Sequence, residues 1–273
     1  MSLYIGTCSW KYPSWEGLLY ETGSGQSYLA QYAKLLNTVE VDQWFWSLGK
    51  NSYALPESAV VNEYNRDTPP DFRFTIKAPN TLTVGLNNPW FLDVNVLYQF
   101  IERIASLESK IGLIIFQFGY LNKEIFANQN EFYDALHKFF SLLPDSFPFG
   151  IEIRNPTFIT EQYFSLLHRN SITPVLASGY WNDSLSATLS HYHSFLGNRL
   201  GVRLLGEDRK RIEAKANEAW NALYEPKDEE LKTLTGFLKQ FLDEGKEIFV
   251  NVNNHYEGSA PLTITRLQSL LQR

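Results

Sequence analysis

Apolar positions along this chain keep two rhythms that take turns. Short runs with period two or with continuous apolar character occur at 3–8 (LYIGTC), 37–42 (NTVEVD), 72–77 (FRFTIK), 111–118 (IGLIIFQF), 149–154 (FGIEIR), 172–177 (ITPVLA), 200–205 (LGVRLL) and 247–252 (EIFVNV). Each reads as a strand. Between them, three- and four-residue steps predict helices: Leu97, Phe100, Ile101, Ile104 and Leu107 in one, and Phe132, Leu136, Phe139 and Phe140 in another. A third helix runs through Leu231, Leu234, Phe237, Leu238 and Phe241, after Pro226 and an acidic first turn. The segments after the second and sixth strands carry little helical periodicity. Strands alternating with helices pair in parallel through right-handed crossovers, and eight of them in 273 residues predict a single (β/α)₈ barrel of the TIM type spanning 1–273. An open doubly wound sheet is the rival, but no glycine-rich phosphate loop follows any strand. The charged segment 207–230 reads as an elaborated loop with its own helix, and Trp220 falls within it.

The polar positions matter as much as the apolar ones. Barrel strands are covered on both faces and are expected to be almost wholly apolar. Here Glu40 and Asp42 alternate with Val39 and Val41, Glu152 and Arg154 with Ile151 and Ile153, and Thr75 and Lys77 with Phe74 and Ile76. Gln117, Arg203, Asn251, Asn253 and Asn254 fall at similar places. If the apolar set packs against the helices, the polar set points into the lumen, towards the strand C-terminal ends where barrel enzymes build their sites. The run VEVDQWFWSL then has a reason: two acids enter the mouth, and Trp44, Phe45 and Trp46 start its rim. Trp10, Trp15, Trp90 and Trp181 also follow strands, so six of the seven tryptophans are expected on one face, where indoles can stack on a sugar or base.

Composition narrows the function. Lys and Arg total 24 against 30 Asp and Glu, a formal charge of −6, which disfavours a nucleic-acid partner. The one cysteine, Cys8, permits neither an internal disulfide nor a thiolate zinc site. No apolar run reaches the roughly 18 residues of a membrane span, so the expectation is a soluble cytoplasmic protein without a membrane partner.

These motifs resemble the YecE-like family, domain of unknown function 72. IGTCSWKYPSW is similar to its I-G-T-S-G-W-x-Y-x-x-W, with Cys8 for Ser and Ser9 for Gly. VEVDQWFW is similar to V-E-x-N-x-T-F-Y, keeping Glu40 and Phe45, with Asp42, Trp44 and Trp46 replacing Asn, Thr and Tyr. FRFTIKAP resembles F-x-F-x-x-K-x-P through Lys77 and Pro79, and GLIIFQF resembles G-x-L-x-F-Q-L through Gln117. EIRNPTF keeps the Glu and Arg of E-x-R-H-x-S-W but carries Asn155 for His and Phe158 for Trp. RLLG keeps Arg203 but has Leu205 for the His of R-L-H-G, and VNVNNHYEGSA resembles the final F-N-N-x-x-x-G-x-A block. The resemblance spans Ile5 to Ala260; it implies a barrel of this kind and supplies no reaction. The two replaced histidines mark a divergent member.

Glu40 and Glu152 are the candidate acid/base pair. With a lumen radius of roughly 7 Å, their carboxyls could approach to about 5–9 Å, the range that glycoside hydrolysis uses. The rival is an internal ion-pair network, Glu40 with Lys77 and Glu152 with Arg154 or Arg203. Lys77, Arg154 and Arg203 are candidate anion ligands, Asp42, Gln117, Asn251, Asn253 and Asn254 polar ligands, and Trp10, Trp44, Trp46 and Trp181 stacking surfaces. His255, at the exit of the last strand, is the best-placed histidine for proton transfer. The expectation is an enzyme, with hydrolysis among its candidate reactions, acting on a small ring-bearing polar or anionic substrate such as a sugar, phosphosugar or nucleotide. The alternatives are a non-catalytic ligand-binding barrel and a metal-assisted phosphodiesterase or nuclease. Five histidines without a cluster count against the last; no metal ligands are assigned, and the sequence leaves the cofactor open.

Overall fold

Each β-rich run becomes a strand, and the eight join in sequence order into a closed, all-parallel barrel: β1 (Ser2–Cys8), β2 (Thr38–Val41), β3 (Arg73–Lys77), β4 (Ile111–Gln117), β5 (Phe149–Glu152), β6 (Thr173–Ser178), β7 (Arg199–Leu204) and β8 (Glu247–Val252). The computed structural model describes residues 2–179 and 184–273. Around the barrel lie α1 (Tyr28–Tyr32), α2 (Ser58–Arg66), α3 (Val94–Ile104), α4 (Gln129–Phe140), α5 (Glu161–Arg169), α6 (Leu185–His191), α7 (Arg209–Ala216), α8 (Asp228–Asp243) and α9 (Ala260–Leu271). Several starts are fixed by side chains that satisfy otherwise orphaned amides. The Asp93 carboxylate accepts from the Asn95 N–H ahead of α3, and the Asn128 side chain accepts from Asn130 and Glu131 ahead of α4.

The strand alternation divides the apolar side chains into two bodies. Val39, Val41, Phe74, Ile76, Ile114, Phe116, Ile151, Val202 and Val250 face outward into the large core beneath the helices. Leu113, Ile115 and Val175 form a separate small cluster, the inward set that fills the lumen. Two strand glycines make room for it. A Cβ on Gly150 would stand 3.0 Å from Leu113 and Val175, and one on Gly201 would stand 2.9 Å from Val175. Towards the N-terminal end, Tyr4 stacks on Phe249 with ring centroids 4.7 Å apart. The lumen is therefore packed with apolar side chains below its C-terminal end, and Arg199 and Glu247 pair across the starts of β7 and β8.

Two local expectations change. β5 stops at Glu152, so Arg154 begins the connection after the strand rather than ending it. Trp220 is not helical: α7 stops at Ala216 because Asn217 and Glu218 turn left-handed, with φ of 44° and 65°, and Trp220 sits in the following turn. Its carbonyl there accepts the Trp15 indole N–H at 3.0 Å, tying the connection after β7 to the one after β1. Among the described residues, no helix is long and apolar enough to cross a membrane.

Candidate functional site

The polar set converges on one guanidinium. Alternation in β2 sends Val39 and Val41 out to the core and leaves Glu40 facing the lumen, fully buried. There Arg203 of β7 donates to both of its carboxylate oxygens, from Nε and Nη2, each at 2.7 Å. The other fork nitrogen, Nη1, donates to Glu152 of β5 and, at 3.1 Å, to the Gln117 side-chain oxygen of β4. Arg154 Nε reaches the second Glu152 oxygen at 3.3 Å from the mouth side, where its own side chain is 29% exposed. Side chains from β2, β4, β5 and β7 thus share one buried network. A lone buried charge would be prohibitively costly, and this one is paired bidentately with the geometry that makes such pairing effective.

This pairing settles which acid meets which base. Glu40 is held by Arg203, not by Lys77, because the long guanidinium of β7 crosses the lumen and fills both of its acceptor oxygens. Glu40 and Glu152 consequently do not stand as a free acid/base pair with room for substrate between them; Arg203 occupies that room. Burial alone would raise the Glu152 carboxyl, but Arg203 and then Arg154 outweigh it and hold it below the usual carboxylate range. Arg203 is balanced in the same way: burial disfavours its charge, and Glu152 and Glu40 restore it.

Lys77, the last residue of β3, behaves differently. It is 7% exposed, yet among the described residues no carboxylate lies within ion-pairing distance of it. Its amine sits 3.7 Å from the centre of the Phe45 ring. Burial, then repulsion from Arg203, brings its pKa down to about 8 against the pull of Glu40, Glu152 and Asp42. Asp42, half-buried just beyond β2, has its carboxyl pushed up by burial and by Glu40, with Lys77 and Arg203 opposing. Cys8 completes this edge; burial and Glu40 push its thiol well above its usual range, which keeps it from serving as a thiolate nucleophile.

Other predicted site residues lie apart from the Arg203 network. Trp10 is 4% exposed and packs edge-on against Tyr64 of α2, and Trp44 lies flat on the same tyrosine at 5.7 Å, so Trp10 has no face left for a ligand. Trp46 is at the opposite extreme, 78% exposed with only the Phe45 edge against it. Trp181 lies outside the described residues. Asn251 reaches across the lumen to donate to the Thr75 hydroxyl at 2.9 Å, and its buried side-chain oxygen has no hydrogen-bond partner. Asn253 accepts the His255 backbone N–H, and Asn254 accepts that of Ala260 at the start of α9. His255 points to α7 rather than to the Arg203 network: its Nε2 lies 3.2 Å from Glu213 and its ring meets the edge of Trp220. Burial, then Arg209, lowers its pKa.

The two replaced histidine positions are also informative. Asn155 clamps the connection after β4, accepting from the Leu121 N–H at 2.8 Å and donating to its carbonyl at 2.9 Å. Beyond Leu205, whose N–H donates to the Ser178 hydroxyl, Gly206 has φ 82° and would place a Cβ 2.1 Å from the His255 carbonyl, so only glycine lets the connections after β7 and β8 touch there. Sequence reasoning gave no role to two further side chains. Tyr12 is half-buried near the site, its hydroxyl pKa raised by burial and by Asp42. Glu257, fully buried, accepts from Thr263, Arg266 and the Lys227 N–H, and so ties the start of α8 to α9. An acid three residues beyond the Asn-Asn pair and just before glycine was the visible signal for the latter. Among the described residues, no group of three or more His, Cys, Asp or Glu is arranged to hold a metal.

Comparison with known proteins gives a consistent picture. The family model described as "Protein of unknown function DUF72" matches residues 4–273. The UPF0759 protein YecE of Escherichia coli is 30% identical over 159 residues, 58% of this chain and 51% of that protein, so the chain spans about half the length of the curated relatives it matches. A solved DUF72 family protein from Enterococcus faecalis has a TM-score of 0.67 at 21% identity, covering 100% of this chain and 98% of that one. Another, from Thermotoga maritima, has a TM-score of 0.70 at 21% identity, covering 100% of both chains. At such identities these two structures speak to the fold.

Proposed function

This chain belongs to the DUF72 family, and from that premise we propose that it is an enzyme acting on a small, ring-bearing polar molecule at the C-terminal mouth of its barrel, with Lys77 as the proton-transfer group. The substrate class is a sugar, phosphosugar or nucleotide. The observation that carries this reading is the division of charge at the mouth: Glu40 and Glu152 are both bonded to Arg203, whereas Lys77, at the mouth end of β3, has an aromatic face for a partner. With a pKa of about 8, its amine exists in both protonation states close to neutral pH and can accept or return a proton. The Glu40–Arg203–Glu152 network then acts as a rigid floor that keeps its charge and geometry fixed. Arg154, partly exposed and bonded to Glu152 through Nε, is the group assigned to an anionic part of the substrate, and Asp42 is the second titratable group whose charge couples to the amine. His255, held by Glu213, stands outside this chemistry.

The test is turnover. Purified protein is incubated with a panel of sugars, phosphosugars and nucleotides, and products are followed by mass spectrometry. Lys77→Met, which keeps the side-chain volume, is expected to lower the rate of any turnover found by roughly 100-fold or more, the scale of a positioned proton-transfer group, with the protein still folded and unfolding cooperatively. A Lys77→Met protein as active as the wild type would overturn the assignment. One observation favours a second reading, a non-catalytic binding barrel: Asn155, at a family histidine position, is a loop clamp. That reading expects saturable binding by some member of the panel and turnover of none.

A further inference from the structure

Resting on the role just given to Lys77, we propose that its ε-amine forms a covalent carbon–nitrogen double bond with the substrate, and that the substrate class is therefore an aldehyde or ketone, such as a sugar in its open-chain form. The geometry argues for a nucleophile rather than a charge. Three carboxylates, Glu40, Asp42 and Glu152, stand around the mouth, and an amine kept only as a cation would be seated on one of them. Instead Arg203 takes Glu40 and Glu152, and Lys77 is left against the Phe45 ring at 3.7 Å. A ring face holds an ammonium far less firmly than a buried carboxylate does. Burial disfavours protonation of the amine, and the nearby Arg203 guanidinium adds a like charge that acts in the same direction. These are the conditions under which lysine amines become nucleophiles at neutral pH.

The step balances without any further reagent. The neutral Lys77 nitrogen attacks the carbonyl carbon; the carbon–nitrogen bond forms as the carbonyl π pair moves onto oxygen, which takes up the proton released by nitrogen. The resulting hydroxyl then leaves as water, carrying one more proton, and the nitrogen lone pair closes the iminium. That proton is assigned to Asp42, whose carboxyl is pushed above the usual carboxylate range by burial and by Glu40. Addition of water reverses both steps and frees the amine. The iminium withdraws electrons from the neighbouring carbon, so the chemistry this intermediate serves is proton removal or bond cleavage next to a carbonyl.

The experiment uses glycolaldehyde as the probe and cyanoborohydride to reduce any iminium to a stable secondary amine, with labelled lysines located by peptide mass mapping. The internal reference is Lys232, whose side chain is 59% exposed and whose amine Glu229 keeps protonated. Lys77 is expected to label at least about tenfold faster than Lys232 near pH 8 and to slow as the pH falls below that value. Lys77→Arg is expected to lose that adduct while labelling of Lys232 continues. Labelling of Lys77 no faster than Lys232 overturns the covalent proposal. If turnover nevertheless depends on Lys77, the proton-transfer reading survives that failure. If Lys77 labels rapidly but turnover is indifferent to Lys77→Met, the amine is reactive without serving the reaction, and both readings fail.

Discussion

Arg203 is the residue on which the site's order depends, because two fully buried carboxylates share its one guanidinium. Replacing it with Met is expected to strand both charges and to lower stability by about 3–5 kcal/mol, measured by urea unfolding. A loss below about 1 kcal/mol would mean that the acids find other partners. Glu152 adds a pH signature: its carboxyl is held below the ordinary 4.5, so its contribution is present above that value and is lost as pH falls through the lower folded value. Lys77 works in the opposite sense. Its folded pKa of about 8 lies below the ordinary 10.5, so between these values the unfolded chain binds the extra proton and stability gains with rising pH. Tyrosine and cysteine side chains of the unfolded chain also lose protons in this region, so the quantity to measure is the difference between wild type and Lys77→Met. That difference is expected to shift in favour of the wild type by about 3 kcal/mol from pH 8 to 10.5. A flat difference would show that the lysine is not depressed. At this scale the sequence revealed which side chains face the lumen, since alternation dictates the face. It could not reveal their partners. Whether Glu40 meets Lys77 or Arg203 is decided by reach across a closed barrel, for which period-two spacing has no information.

Among the elements, the lumen strands are matched in volume. Gly150 and Gly201 leave the space that Leu113 and Val175 fill. Gly201→Ala is expected to cost about 1–3 kcal/mol through overpacking, and distinctly less in a Val175→Ala background, where the neighbour 2.9 Å away has been shortened. Equal costs in the two backgrounds, by thermal or urea unfolding, would contradict this account of the lumen. Helices with a strong apolar stripe, α3, α4 and α8, were legible because each buries five residues at helical spacing. α2 and α6 were not, because they bury only Val61 and Tyr64 in one and Leu189 in the other. Trp220 was misplaced for another reason. The left-handed pair Asn217 and Glu218 ends α7, and nothing in the sequence marks Glu218 for that conformation.

For the whole molecule, the order of strands and helices sufficed to identify the barrel, since eight parallel crossovers in this length leave little else. The gathering of polar side chains towards one end was equally legible, because alternation puts Glu40, Gln117, Glu152 and Arg203 on one strand face near the C-terminal ends of their strands. The rim was harder to read: Trp10 belongs to the core, Trp46 to the surface and His255 to α7. What distinguishes this mouth is an amine set apart from the acids around it. Isotope-edited NMR titration of the Lys77 side chain, assigned by comparison with Lys77→Arg, measures that separation without requiring a substrate. A midpoint near 8 is the expected result; a midpoint at or above 10.5 would mean that Lys77 is a tightly paired cation and would contradict the account.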